Sequence, residues 1–156
     1  MKKLNVFFLS IVLIFAISSH GLKAEHMDLS IYSGVVTDDS FSFKPFYWTI
    51  GLNMDIHFNN LIMLSPECYM ITHNFNYFFL APAVLLNLNF DFFIVGAGLT
   101  KWFSIGESSD FSTDIGLKVN AGINGDNLRL MVFIVTSFDN FFAKGMAVGA
   151  TLGFSF

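Results

Sequence analysis

GMAVGATLGFSF, residues 145–156, alternates without a slip. Met146, Val148, Ala150, Leu152, Phe154 and Phe156 fall on one side of an extended chain, and Gly145, Ala147, Gly149, Thr151, Gly153 and Ser155 on the other. Successive side chains of a strand point to opposite faces, so this segment has one oily face and one face of small and hydroxyl residues. That division suits a closed barrel with lipid outside and side chains or water within.

Working upstream, seven further segments carry a strand reading. Residues 47–58 are the cleanest: Trp48, Ile50, Leu52, Met54, Ile56 and Phe58 oppose Thr49, Gly51, Asn53, Asp55 and His57. A helix would scatter both sets around its circumference. Residues 111–123 set Ile115, Leu117, Val119, Ala121 and Ile123 against Asp114, Gly116, Lys118, Asn120 and Gly122. Residues 128–138 put Leu128, Leu130, Val132, Ile134 and Thr136 outward, with Arg129, Met131, Phe133, Val135 and Ser137 inward. Residues 28–36 are weaker. In 61–73, Pro66 removes a ladder donor, so a bulge is expected near Ser65 or Pro66. Residues 76–88 are nearly apolar on both faces, and in 91–103 alternation leaves open which face meets lipid.

The connections sort into two kinds. Those at 59–60, 89–90 and 124–127 are short, and Asn124-Gly125 is a strong hairpin signal. Those at 37–46 and 104–110 are longer, 139–143 is intermediate, and the one near Asn74 and Phe75 is shorter than this alternation calls for. An even strand count lets the last strand pair with the first, which leaves no open edge in hydrocarbon. The expected fold is therefore all-β: an eight-stranded antiparallel up-and-down transmembrane β-barrel, with short turns on the periplasmic side.

The amino-terminal segment stands apart. Lys2 and Lys3 precede an apolar run from Leu4 to Ile17, followed by polar residues and Ala24. This is the order of a secretory signal peptide, so residues 1–24 are expected to be removed and 25–156 to form the barrel. The remaining cations are Lys44, Lys101, Lys118, Arg129 and Lys144, and the acids outnumber them. Such an acidic chain offers no basic surface for nucleic acid. Cys68 is the single cysteine, which excludes an internal disulfide scaffold. Mean hydropathy is +0.61, yet no later stretch is long and uninterrupted enough for a membrane helix. Lipid contact on alternating surfaces resolves that conflict.

The pattern resembles the small eight-stranded outer-membrane proteins of Gram-negative bacteria, the OmpA-like and OmpX-like barrels. The terminal LGFSF carries the sharpest likeness. The resemblance implies residence in the outer membrane, contact with outer-membrane lipid, and recognition of Phe156 by the barrel-assembly machinery.

Function is less legible than fold. Asp55, His57, Glu67, Asp114, Lys118 and Arg129 all fall on inward faces. Ionised groups in so narrow a lumen must pair or keep water. Glu67, Asp114, Lys118 and Arg129 are expected to form an interior charge network. Asp55 and His57 are too far apart along one strand for a base and its orienter. His26 is expected in an unstructured tail. No catalytic set, cofactor or metal site is expected, and the protein is read as a non-enzymatic monomer with a structural or surface-interaction role. One alternative is a lipid A acylase or deacylase using His73 and Ser137 at the outer rim. Another is a soluble exported barrel binding an apolar ligand, which would place its oily residues inside.

Overall fold

A computed structural model describes residues 26–38, 47–72, 78–105, 115–125, 127–137 and 146–156. Residues 1–25, which include the expected signal peptide, most of the longer connections, and with them His73 and Asp114, lie outside the described residues. The strands are β1 (His26–Asp38), β2 (Tyr47–His57), β3 (Ile62–Thr72), β4 (Phe78–Phe90), β5 (Phe93–Lys101), β6 (Phe103–Ile105), β7 (Ile115–Asn124), β8 (Leu128–Ser137) and β9 (Ala147–Ser155). β5 and β6 both pair with β4 and form one stave interrupted at Trp102, so the nine segments make eight staves. Every pairing is antiparallel, and β9 pairs with β1 to close the barrel.

The register winds around the axis. Partners run from His26 to His57, Met63, Asn87, Gly96, Asn120, Phe133 and Gly149, and return to β1 at Val36 rather than His26. This stagger tilts the strands and, with eight staves, leaves a lumen just wide enough for side chains.

Two prolines interrupt the ladder without shifting it. On β3, partners of β2 run from Trp48–Thr72 to Asn53–Glu67 and resume at Ile56–Leu64 in the same register. No extra residue is inserted, so the bulge expected near Ser65 or Pro66 does not form. Pro66 has no N–H to give β2, and the ladder lapses beside it while pairing with β4 continues through Pro66–Val84. Pro82 does the same to the next stave, where pairing lapses at Ala81 and Pro82 between Leu80–Phe103 and Ala83–Thr100. Thr100 Oγ1 donates to the Pro82 carbonyl at 3.1 Å, which satisfies part of the loss.

The short turns differ in chemistry. Asn59 Oδ1 accepts from the N–H groups of Leu61 and Ile62 at 2.8 and 2.7 Å, closing the β2–β3 turn. The β4–β5 turn sits at Asp91 and Phe92, two residues beyond the expected 89–90, because Phe90 pairs with Phe93. Asp91 adopts φ 56°, a left-handed conformation that a two-residue hairpin requires and that Asp tolerates. Gly125 N–H donates to the Leu128 carbonyl at 2.8 Å in the third turn.

The two faces separate cleanly. Ile50, Leu52, Leu130, Val132, Leu152 and Phe154 are exposed on the outside, while Asn53, Lys118, Asn120, Arg129 and Thr151 are buried within. On β5 the face left open by alternation is settled: Ile94 and Thr100 point inward, Phe93 and Leu99 outward. Ile56 departs from the pattern, being 4% exposed on a nominally outward position. Oil outside and charge inside is the inverse of a soluble ligand-binding barrel, and that reading is overturned. An apolar exterior of this extent is stable only against lipid, which makes the chain a small β-barrel membrane protein. Phe90, Phe92, Phe93, Phe154 and Phe156 are all exposed at the short-turn end, where aromatic rings favour the interface. Phe156 is held by reciprocal backbone bonds with Leu29.

Candidate functional site

The inward faces converge on a lumen filled by side chains. Tyr32, Tyr69 and Phe133 supply its rings, and each lies over a cross-strand glycine: Tyr32 over Gly153, Tyr69 over Gly51, Phe133 over Gly149. A Cβ at any of these glycines would collide with the ring above it. The glycines on the inner face therefore make room for aromatic packing across strands. Tyr69 stands between the other two, with centroids 6.3 Å from Tyr32 and 6.1 Å from Phe133.

Charges are embedded in this frame as two opposed pairs. Lys118 on β7 donates through Nζ to Glu67 Oε1 on β3, across the lumen. Its ammonium also lies 4.2 Å from the Tyr69 centroid and 4.4 Å from that of Phe133. Both ring faces are electron-rich and help replace the water that the buried cation has lost. Arg129 on β8 donates through Nη1 to Asp55 Oδ2 on β2 and to the Tyr32 hydroxyl at 3.1 Å. Its Nε donates to Asn124 Oδ1 at 2.9 Å.

Asp55 is the centre of the second group. Its Oδ1 accepts from Asn53 Nδ2 at 2.9 Å and from Ser65 Oγ, and Ser65 Oγ in turn accepts from Asn87 Nδ2 at 2.6 Å. Asp55 itself is fully buried. Two acids and two bases thus balance one another, and each carboxylate has a cation, as burial of charge requires. The space left between them is a cavity of about 10 Å³, room for about one water. Neither a solute path nor an apolar ligand fits in that volume.

Of the residues expected in the network, Glu67 and Lys118 meet, and Arg129 meets Asp55 instead of a member of the named set. Asp114 lies outside the described residues. Alternation had put Asp55 inside; matching depth would have paired it. Asp55 lies two residues before the end of β2 and Arg129 is the second residue of β8, so both stand near the short-turn end.

That end carries a second constellation. His26 belongs to β1, not to an unstructured tail, because its backbone pairs with His57. Their rings stack with centroids 4.0 Å apart and planes 16° apart. Asp28 Oδ2 lies 3.1 Å from His57 Nε2 and 3.7 Å from His26 Nε2. The carboxylate beside His57 is therefore Asp28 on the neighbouring strand rather than Asp55. Sequence alternation placed His57 inward but carried no signal for the strand opposite it. Of the rim pair His73 and Ser137, the first is outside the described residues, and only the backbone of Ser137 is described, pairing with Gly116.

No known family and no curated protein matches the sequence. Among solved structures, the chain is similar to a de novo designed transmembrane β-barrel, with a TM-score of 0.51 at 13% identity, covering 83% of this chain and 95% of that one. It is also similar to the outer membrane protein Ail of Yersinia pestis, solved as a backbone structure in a phospholipid bilayer nanodisc, with a TM-score of 0.48 at 12% identity over 84% of this chain and all of that one. At 13% identity the likeness to the designed barrel is one of fold.

Proposed function

We propose that this chain is an outer-membrane protein of a Gram-negative bacterium, inserted as a monomer, with a structural or surface-recognition role and no catalytic one. The observation that carries this reading is the lumen: among the described residues Lys118 pairs with Glu67 and Arg129 with Asp55, and the cavity between the pairs has room for about one water, which supports an interior that serves as packing. The apolar exterior supports contact with outer-membrane lipid. What remains for interaction is the surface of the longer connections.

Fractionation tests it. The protein is expected in outer-membrane fractions, insoluble in alkaline carbonate, and migrating faster on gels when unheated than when boiled. Recovery as a soluble periplasmic protein would contradict the proposal. An altered lipid A acyl pattern on expression, lost in His73→Ala, would replace the non-catalytic role with the enzymatic one.

A further inference from the structure

The charge pairs of the lumen satisfy one another, whereas at its short-turn mouth the buried His57 Nε2 makes no hydrogen bond although Asp28 and His26 lie beside it. His57 is 5% exposed, and its Nε2 has no hydrogen-bond partner among the described residues. Asp28 Oδ2 is only 3.1 Å away, but it lies off the direction in which an imidazole N–H bonds. A buried nitrogen left in this state carries an unrecovered desolvation cost. An electron-pair acceptor placed between nitrogen and carboxylate removes it.

We propose that His26, Asp28 and His57 bind a divalent transition-metal ion of the zinc class. Two imidazoles and one carboxylate are a donor set that zinc accepts, with one position left for water. Their ligand atoms lie within 4.8 Å of one another, and both Nε2 atoms face the same oxygen of Asp28. Bond lengths of roughly 2.0 to 2.2 Å place tetrahedral ligands about 3.3 Å apart, so the two contacts through Asp28 already have nearly the required spacing. The two imidazoles are stacked, so one ring must turn out of the stack for their nitrogen lone pairs to converge, closing the gap between ligand atoms by up to about 1.5 Å. His26 permits this, because it begins β1 and its side chain is 53% exposed. Calcium and magnesium want more oxygen ligands than the cluster supplies. An ion held here ties the first residue of β1 to the last residue of β2, and clasps the strand that closes the barrel against β9.

The test uses the folded, untagged barrel in detergent micelles, titrated with Zn²⁺ by calorimetry and with Co²⁺ by visible absorption. One Zn²⁺ per chain is expected, together with a four-coordinate cobalt band. Affinity is expected to fall more than about tenfold in His26→Ala and in His57→Gln, a loss of the size that even an outer partner of a metal ligand causes. It should hold in His73→Ala and in the presence of excess Ca²⁺. His26→Ala keeps the test decisive if His57→Gln fails to fold, because the His26 side chain is largely outside the packed lumen. Absence of saturable 1:1 binding, binding undiminished in His26→Ala, or binding lost in His73→Ala each overturns the proposal.

Discussion

Arg129 reaches across the lumen to Asp55, a residue 74 positions earlier in the chain, and the two bury a full ion pair at the level of the short turns. The pair joins β8 to β2, which are not neighbours in the sheet, so it braces opposite walls of the barrel. Removing one partner strands a charge in a space with little water. Asp55→Asn is expected to destabilise the barrel by about 3 to 5 kcal/mol. The double substitution Asp55→Asn with Arg129→Met should recover a large part of that loss. Urea unfolding in micelles, followed by the fluorescence of Trp48 and Trp102, measures both.

Lys118 is held by a carboxylate and by two rings. Lys118→Met keeps its length but leaves Glu67 buried without a cation, and the same unfolding measurement should show a loss of about 3 kcal/mol. The double variant with Glu67→Gln should lose less than the two single variants combined, with a coupling energy above about 1 kcal/mol. Strict additivity would mean that the two groups do not interact.

Phe133 covers Gly149 so closely that no Cβ fits beneath it. Gly149→Ala forces the ring aside and is expected to cost about 1 to 3 kcal/mol. Combining it with Phe133→Leu should relieve the clash, so the double variant loses less than the sum of the single changes. A ring that simply turned away would leave Gly149→Ala neutral.

Spin labels at alternating positions of β2 test the orientation of the faces. Labels at Ile50 and Leu52 should collide with oxygen dissolved in lipid, because these side chains are about half exposed on the outer surface. A label at Asn53 should be shielded from both oxygen and a water-soluble relaxant. Labels at all three sites that respond alike would contradict the two-faced strand.

Much of this architecture could be read before any coordinate was known, and for a specific reason. A strand has a period of two, so one residue's identity constrains the face of every other, and Leu117, Lys118 and Val119 could be sorted by parity alone. Parity says nothing of depth or of the strand opposite. For that reason alternation does not choose the partner of Arg129 among the inward acids, and it carries no sign that His26 pairs with His57 of β2. Pro66 shows a different limit. A missing donor can be absorbed by a bulge or by a lapse in pairing, and the residue itself does not choose between them. On β3 the alternation of inward and outward residues runs unbroken through Pro66, whereas an inserted residue there would have shifted the rest of the strand by one face.

The two prolines have a mechanical corollary. Pro66 loosens the seam between β3 and β2, and Pro82 loosens the seam between β4 and the next stave, while the β3–β4 contact between them is continuous. That hairpin is thus a panel perforated along both edges.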